Sequence, residues 1–319
     1  MAALHEYQQV GAKTVQGQRE AHPITKGRRT IVVSSGKGGV GKSTVTVNLA
    51  AEFAARGAAV GIIDADIYGF SVPMMLGMVD SAGSSPRLFR DGARVIPPSM
   101  HGVQAISASM LVKDSETAVS WRGPMLQKAL RQFVQETDFG ALDFLFIDMP
   151  PGTGDVAMAM NSLLRDAELL VVTTPQPVAA EVAIRSAQMP MQLRRPIVGV
   201  VENMFTEEDL TGGGSDGLFG SGGGARIAAR LSELSSVEVP LLASIPLSLE
   251  LRRSSDRGLP IVIADPTNEA SIAFASLADA ILDRPGSLVR KHLPLMDVSK
   301  TPPRSVPSIR SSQCASIDE

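Results

Sequence analysis

Short runs of apolar, often β-branched residues alternate along the chain with longer segments in which apolar positions recur at helical spacing. Most of the short runs are continuous, as expected of strands that are buried on both faces of a sheet. These runs predict strands at 31–35, 60–64, 103–107, 144–148, 169–173, 197–201 and 241–244. The segments between them predict helices at 43–56, 124–137, 156–165, 178–193, 224–234 and 268–282. Pro190 should kink or end the helix in which it lies.

This alternation of strands and helices is typical of βαβ units. The predicted fold class is therefore α/β, a doubly wound and mostly parallel sheet with helices on both faces. An insertion at 67–100 and a glycine-rich stretch at 204–224 interrupt the rhythm and are predicted to be loops. The pattern predicts one folded domain over 29–284, a flexible leader at 1–28, and a disordered tail, rich in proline and serine, at 285–319.

The composition indicates the class of protein to which such a domain belongs and the partners it is expected to have. Hydrophobic residues make up 44% and charged residues 20% of the chain, which is ordinary for a globular protein. The formal net charge of −3 provides no overall attraction to nucleic acid or anionic lipid. No stretch is apolar for long enough to span a membrane, and the N-terminus lacks the apolar run of a secretory signal. We therefore expect a cytoplasmic protein without a nucleic-acid or membrane partner, although a transit peptide would share the mildly basic leader.

The clearest chemical signal lies between the first predicted strand and the first predicted helix. The sequence there satisfies the P-loop pattern G-x-x-x-x-G-K-[ST] in its strand, loop and helix setting. Backbone N–H groups of such a loop, together with the N-terminus of the helix, face phosphate oxygens. The residues predicted to bind a nucleotide are Gly36, Lys37, Gly38, Gly39, Val40, Gly41, Lys42, Ser43 and Thr44. Within this set, Lys42 should reach the β- and γ-phosphates and the Ser43 hydroxyl should bind Mg²⁺.

Three aspartates lie at or just beyond the ends of predicted strands. Asp64 ends the strand at 60–64, Asp66 follows it, and Asp148 ends the strand at 144–148. Because the carboxyl ends of parallel strands face the ligand crevice, these side chains should lie near the phosphates. Asp148 has the Walker B arrangement and is predicted to hold Mg²⁺, with Asp64 in the shell of magnesium-bound water and Asp66 orienting the attacking water. A capping or turn role is the alternative for Asp64 and Asp66.

A second lysine inside the loop, Lys37, marks a subclass of P-loop proteins. The form K-G-G-V-G-K-[ST] resembles the deviant Walker A ATPases of the MinD/ParA superfamily. The resemblance implies a homodimer in which Lys37 crosses the interface to the phosphates bound by the second subunit. It also implies that Asp66 is the switch aspartate needed for hydrolysis, so that Lys37, Lys42 and Asp66 are the expected catalytic residues. A solvated surface lysine is the alternative for Lys37.

Further motifs between residues 28 and 283 restrict the resemblance to one branch of this superfamily. They are Asp64-Ala-Asp-Ile-Tyr-Gly69, Trp121-Arg-Gly-Pro124, Asp148-Met-Pro-Pro-Gly-Thr-Gly-Asp155, Thr173-Thr-Pro-Gln176, Asn203-Met204, Phe219-Gly-Ser-Gly222 and Ile245-Pro-Leu247. In this order they resemble the Mrp/ApbC branch, whose members hydrolyse ATP and carry or transfer iron-sulfur clusters to apo-proteins. The resemblance also implies that Asn203 binds the adenine edge, since an amide can pair with both its donor and its acceptor. A plain turn residue is the alternative for Asn203.

The chain departs from this branch at the cluster ligands. Typical carriers have a C-x-x-C pair shortly after the Asn-Met dipeptide, whereas 205–216 here contains no cysteine. The single cysteine of the sequence, Cys314, lies in the tail. Binding of a cluster by the usual ligands is therefore excluded, and an iron-sulfur cofactor stays an open question. The carboxylates at 207–209 suit hard cations, but a solvated loop is the simpler interpretation.

Three functions compete at this point. The first is a homodimeric, ATP- and Mg²⁺-dependent ATPase that assists iron-sulfur cluster assembly or transfer to apo-protein clients, with cluster ligands altered or supplied by other proteins. The second is a positioning ATPase like MinD and ParA, which would need an amphipathic membrane helix or a basic DNA-binding surface. The third is a binding module without catalysis, against which the intact Lys37, Asp66 and Asp148 count. We favour the first.

Overall fold

The structure, a computed structural model, describes residues 28–67, 69–81, 83–92, 94–111, 130–164, 167–193, 195–206 and 222–284. Several features of the sequence lie outside these residues. They are the predicted tail, most of the predicted leader, the motif at 121–124, the first part of the helix predicted at 124–137, the carboxylates at 207–209 and Cys314.

The strands of the described residues confirm the predicted arrangement. In chain order they are β1 (Arg29–Ser35), β2 (Val60–Asp64), β3 (Phe89–Asp91), β4 (Arg94–Ile96), β5 (Ser99–Met100), β6 (Val103–Ser107), β7 (Phe144–Asp148), β8 (Glu168–Thr173), β9 (Ile197–Phe205) and β10 (Leu241–Pro246). The main sheet of this part of the chain has the order β10-β9-β8-β1-β7-β2-β6-β5, in which only β5 pairs antiparallel. Strands β3 and β4 form a separate hairpin. The fold is thus a doubly wound, mostly parallel α/β sheet.

Helices connect these strands. They are α1 (Lys42–Ala55), α2 (Val72–Met75), α3 (Asp155–Leu163), α4 (Pro177–Gln192), α5 (Gly223–Ser235), α6 (Leu249–Asp256), α7 (Ile261–Ala264) and α8 (Glu269–Leu282). A 3₁₀ turn follows β6, and residues 130–135 are also helical. The ends of the predicted helices agree with these within about two residues, which is the usual uncertainty of a helix end.

Apolar residues fill both faces of the sheet. One core cluster combines Val45, Leu49 and Phe53 of α1 with residues of α8, and the other combines residues of α3, α4 and α5. Phe53 stacks on Phe144 of β7 with ring centroids 4.2 Å apart. Such aromatic packing anchors α1, and with it the loop that precedes α1, over the centre of the sheet.

The order of the strands places a crevice beside the end of β1. The chain leaves β1 toward β2 and β6 on one side, returns to β7, and then continues to β8, β9 and β10 on the other side. Ligands of open α/β sheets bind at the carboxyl ends of the strands where this change of direction occurs. The loop between β1 and α1 is located there.

The structure corrects the sequence-based interpretation in two places. The 67–100 insertion is not simply a loop, because it contains α2, the β3–β4 hairpin and β5. Helices α6 and α7 were not predicted; α6 is mostly polar and buries only Leu251, Ser254 and Ser255. Pro190 lies within α4, which ends two residues later at Gln192; a kink at the proline stays a prediction.

A buried ion pair joins the starts of β1 and β8. The Arg29 guanidinium donates from Nε and Nη2 to the two carboxylate oxygens of Glu168, at 3.0 and 2.6 Å. Its Nη1 donates to the carbonyl of Ile281, near the end of α8, at 2.7 Å. Both side chains are buried, so each charge depends on the other for compensation.

We expect Glu168→Ala to lower the free energy of unfolding by about 3–5 kcal/mol, because it leaves Arg29 charged and buried without its partner. The matched control is Glu233→Ala, which breaks an exposed pair with Arg230 and should cost less than about 1 kcal/mol. Urea unfolding followed by circular dichroism measures both. Similar losses in the two variants would contradict the prediction.

Candidate nucleotide-binding site

The loop between β1 and α1 has the backbone of a phosphate-binding loop. Gly39 and Gly41 adopt φ values of 79° and 81°, a region that side chains disfavour. Gly41 directly precedes α1, and its carbonyl accepts the N–H of Val45 at 2.9 Å to begin the helix. The remaining N–H groups of the first turn are therefore available to an anion, where the helix dipole favours negative charge.

A cavity of about 210 Å³ opens at this loop. It is lined by Ser35, Lys37, Gly38, Gly39, Val40, Gly41, Lys42, Ser43, Thr44, Asp66, Gly69, Ser71, Met75 and Pro151. Most of the residues predicted to bind the nucleotide are in this set. Gly36, Asp64, Asp148 and Asn203 are not in it, but Asp64, Asp148 and Asn203 form hydrogen bonds with lining residues. The volume suits the phosphate end of a nucleotide better than a whole one, since typical ligand pockets measure roughly 300–1,000 Å³.

The innermost polar cluster joins α1 to the end of β7. Lys42 Nζ lies 2.8 Å from Asp148 Oδ1, and the Ser43 hydroxyl donates to Asp148 Oδ2 at 2.5 Å. The hydroxyl of Thr46, one turn further along α1, donates to Oδ1 at 2.9 Å. Asp148 is completely buried, and these three groups compensate its charge. The predicted lysine, hydroxyl and Walker B carboxylate therefore meet at one point.

Asp64 ends β2, the strand next to β7, at the same height in the sheet as Asp148. It lies opposite Asp148 in the β2–β7 register and opposite Ser107 in the β2–β6 register. The Ser107 hydroxyl donates to Asp64 Oδ2 at 3.0 Å, and the N–H of Asp66 donates to Oδ1 at 3.1 Å. Two carboxylates are therefore buried side by side, which favours a proton or a cation between them.

Burial, together with repulsion from Asp148, raises the pKa of Asp64 to about 7. The positive charge of Lys42 and the hydrogen bonds from Ser107 and the Asp66 N–H act in the opposite direction. Burial is the larger effect because Asp64 has no exposed surface.

Asp66 occupies the turn after β2 and lines the cavity. Its carboxylate accepts the N–H of Gly69 at 3.1 Å, which is a turn contact of the kind that the alternative interpretation anticipated. The side chain is half-buried and faces the same cavity as Lys42 and Ser43. The turn contact and a role at the phosphates are compatible.

Lys37 also lines the cavity but has an acceptor in its own chain. Its Nζ donates to Gln176 Oε1 at 2.7 Å, and Gln176 directly precedes α4. Lys37 is half-buried, so the solvated surface lysine that the sequence left open is not what the structure shows.

Asn203 contacts the phosphate-binding loop from the end of β9. Its Nδ2 donates to the carbonyl of Val40 at 2.9 Å, and the side chain is buried. A Cβ on Gly41 would overlap this amide, so Asn203 also requires glycine at that position. The preceding residue, Glu202, accepts the N–H of Gly224 near the start of α5 at 2.8 Å. In the structure, therefore, Asn203 supports the loop, and its contact with adenine stays a prediction.

Four supporting residues were not predicted: Thr46, Ser107, Gln176 and Glu202. A signal for two of them was present in the sequence. Thr46 is a polar residue one helical turn after the P-loop serine, and Ser107 ends a predicted strand on a polar residue, as Asp64 and Asp148 do. Gln176 belongs to the Thr173-Thr-Pro-Gln176 motif, but neither this motif nor periodicity indicated its contact with Lys37, or that of Glu202 with Gly224.

The comparisons with known proteins agree with this geometry. The sequence profile of the NUBPL iron-transfer P-loop NTPases, in the ParA group, matches residues 26–282. The chain belongs to this family. A relative from Mycobacterium bovis, named as an iron-sulfur cluster carrier protein, is 46% identical over 267 residues, which covers 84% of this chain and 68% of the relative.

Solved structures show the same fold. A nucleotide-binding protein from Archaeoglobus fulgidus, solved in complex with ADP, is 31% identical with a TM-score of 0.58, covering 72% of this chain and 86% of that one. The septum site-determining protein MinD from Pyrococcus horikoshii, complexed with Mg-ADP, is 22% identical with a TM-score of 0.58, covering 80% of this chain and 96% of that one. At that identity the second match supports the fold alone.

The donor set fits a small hard cation beside a phosphate. Hydroxyl and carboxylate oxygens of Ser43 and Asp148 are the ligands that Mg²⁺ prefers, and Mg²⁺ keeps several waters rather than requiring a protein cage. Among the described residues, no group of three or more His, Cys, Asp or Glu is placed to hold a metal. None of the helices in the described part of the chain combines the length and the apolar character needed to cross a membrane.

The raised pKa of Asp64 predicts a pH-dependent stability. The folded carboxyl titrates near pH 7 and the unfolded one near its ordinary 3.8, so between these values the folded state binds more protons. Without magnesium and nucleotide, the free energy of unfolding should therefore fall as pH rises from 5 to 8, by on the order of a few kcal/mol.

Asp64→Asn removes the titrating group and should flatten this dependence, which leaves the variant more stable than wild type at pH 8. Asp143→Asn is the control, because that carboxylate lies at the surface, where it accepts the N–H of Ala59. Urea unfolding in EDTA at several pH values measures the slopes. A wild-type slope that persists in Asp64→Asn would show that another group causes it.

Proposed function

We propose that this chain is a homodimeric ATPase that uses Mg-ATP to control iron-sulfur cluster assembly or transfer to apo-protein clients. The observation that supports it most directly is the contact of Lys42 and Ser43 with Asp148, at 2.8 and 2.5 Å, below a loop with two positive-φ glycines. Membership of a family of iron-transfer P-loop NTPases supports the part of the proposal that concerns iron-sulfur clusters.

Within the cavity, each residue would act according to its position. Lys42 would exchange its contact with Asp148 for the β- and γ-phosphates and neutralise their charge. Ser43 and Asp148 would hold Mg²⁺, which supplies further neutralisation of the phosphate oxygens when it is bound. Asp64, which is buried beside Asp148, would act through the water shell of the metal and through Asp148.

Hydrolysis would use the turn after β2. A water held by the Asp66 carboxylate would form a bond to the γ-phosphorus as the bond from that phosphorus to the bridging oxygen breaks. The bridging oxygen would keep the electron pair and leave with ADP, and the proton lost by the water would pass to the released phosphate. Lys37 of each subunit would cross to the phosphates of the other and stabilise the charge that develops on the bridging oxygen. Such a cation supplied in trans would make hydrolysis depend on dimerisation.

The loop after β7 would report nucleotide occupancy. Met149 donates its N–H to the carbonyl of Val33 at 3.1 Å and Gly152 donates to Ser35 at 3.0 Å, so this loop lies against β1. Pro151 lines the cavity, and α3 begins at Asp155. A change at the γ-phosphate would therefore reach α3 through a short connection, as in switch loops.

The cluster itself would be cargo whose ligands come mainly from other proteins. The sequence has one cysteine, Cys314, and four thiolates are needed for an ordinary iron-sulfur site. A dimer would contribute only two cysteine thiolates. The residues of this chain therefore do not fit a complete cluster site, and we assign to the chain the nucleotide-dependent step, with the client or an assembly partner providing the remaining ligands.

A positioning ATPase is less well supported. The MinD structure is 22% identical to this chain, whereas the mycobacterial carrier protein is 46% identical over 84% of it. The motifs that distinguish the two branches extend over most of the domain.

The cytoplasm is the compartment we propose for this function.

Two lysine substitutions test the catalytic part of the proposal. Lys42→Ala should abolish measurable Mg-ATP binding in titration calorimetry, because the phosphates lose their buried counter-charge. Lys37→Ala should retain binding to the monomer but lower kcat by about 100-fold or more, the order of magnitude expected for a lost transition-state contact. Arg230→Ala, on the exposed face of α5, is the control for both.

Circular dichroism of each variant establishes that it is folded before the assays are interpreted. Normal turnover in Lys42→Ala would refute the nucleotide site. Normal turnover of dimeric Lys37→Ala would instead reject the trans role and leave the site intact.

Anaerobic reconstitution tests the cluster part. Purified wild type and Cys314→Ser, each incubated with iron and sulfide and then desalted, should retain equally little iron and show equally weak charge-transfer absorbance. A stoichiometric cluster in wild type that is lost in Cys314→Ser would show that this chain provides essential ligands after all.

A further inference from the structure

We infer that Gln176 is a latch on Lys37, a positioning residue that holds this lysine within its own subunit until the phosphates of a second subunit compete for it. The inference rests on the proposed function, in which Lys37 acts across a dimer interface. It assigns a role to the Thr173-Thr-Pro-Gln176 motif, whose glutamine had none.

The contact has the properties that a releasable latch needs. Gln176 Oε1 accepts Lys37 Nζ at 2.7 Å, a short distance for an N–H···O bond, and both side chains are half-buried. A hydrogen bond with a charged donor is stronger than a neutral one. The amide acceptor carries no full charge, however, so a phosphate oxygen can replace it more readily than it could replace a carboxylate.

The backbone that carries Gln176 is held from two sides. Pro175 and Pro177 flank it in the sequence, and proline fixes φ. Gly223, the first residue of α5, is packed against the preceding turn so closely that a Cβ there would lie 2.6 Å from the carbonyl oxygen of Pro175. The backbone of this turn can therefore move little when Lys37 moves. The Lys37–Gln176 hydrogen bond must break through rotation of the two side chains.

The other end of the contact is held as well. A Cβ on Gly36, the residue before Lys37, would overlap the backbone of Val182 and Ala183 in α4. The loop and the helix that follows Gln176 are thus in direct contact at their backbones. The Lys37 side chain can change partner without displacement of the phosphate-binding loop, whose later residues hold the nucleotide.

A hydrogen bond from Lys37 to an acceptor in its own subunit weakens dimerisation, because it competes with the contact between subunits. A contact in trans is available only to the fraction of subunits in which Lys37 is released, so the apparent dimer dissociation constant increases as that fraction decreases. Loss of the acceptor should tighten the dimer, and a charged acceptor should weaken it. The two substitutions therefore have opposite expected signs, which general damage to the fold would not produce.

The experiment compares Gln176→Ala with Gln176→Glu, using the full chain and a nonhydrolysable ATP analogue with Mg²⁺. Sedimentation should show a dimer dissociation constant about a hundredfold lower for Gln176→Ala and about a hundredfold higher for Gln176→Glu, because each dimer releases two Lys37 contacts and each of them is worth about tenfold. Each variant is compared at a nucleotide concentration that saturates it, so that a change in nucleotide affinity does not enter the dimer dissociation constant. Gln192→Ala and Gln192→Glu, at the exposed far end of α4, are the matched controls.

A second measurement tests the latch without reference to dimers. The acetylation rate of Lys37 in the monomer, read by mass spectrometry, should increase in Gln176→Ala and decrease in Gln176→Glu. Unchanged labelling, or a dimer that is weaker in Gln176→Ala than in wild type, would overturn the inference. A wild type that never dimerises with the nucleotide analogue would overturn the proposed function and, with it, the part of the inference that concerns assembly.

Discussion

The burial of two carboxylates side by side at the ends of β2 and β7 is the constraint on which the rest of the site depends. Asp64 and Asp148 are in register on adjacent strands, and neither has exposed surface. Like charges in a medium of low polarity are unfavourable unless other groups compensate them. Lys42 and the neighbouring hydroxyl groups do so here, and the same negative potential favours a divalent cation beside Ser43 and Asp148.

The phosphate-binding loop and the sheet therefore stabilise each other. Lys42 and Ser43 begin α1, whose Phe53 stacks on β7, and β7 ends in the Asp148 that those two residues contact. A second layer fastens the loop from the opposite side, where Gln176 holds Lys37 and Asn203 holds the carbonyl of Val40. In this arrangement Lys42 belongs to the buried cluster, whereas Lys37 lies at the boundary between the cavity and the turn before α4. A lysine at a boundary can change its partner at lower cost, which suits a residue proposed to act between subunits.

Much of the fold could be predicted because both faces of the central strands are buried. The continuous apolar runs at 60–64, 103–107 and 144–148 coincide with β2, β6 and β7. Prediction failed where the signal was weak or discontinuous. Helix α6 buries few residues, and the short elements within 67–100 depend on contacts with the domain rather than on their own periodicity. The C-x-x-C pair that is typical of the Mrp/ApbC branch is absent from 205–216, and this departure could be seen in the sequence alone.

By itself, the sequence determined the phosphate-binding loop and the polar ends of the strands, because glycine, lysine and aspartate at those spacings have few other uses. It could not determine which residues complete the site. The contacts of Gln176 with Lys37 and of Ser107 with Asp64 join positions 139 and 43 residues apart. Only the order and register of the strands bring such positions together, since periodicity along a chain describes which face a residue occupies and not which distant residue lies opposite. The raised pKa of Asp64 is likewise a property of the tertiary structure, because it results from burial beside Asp148.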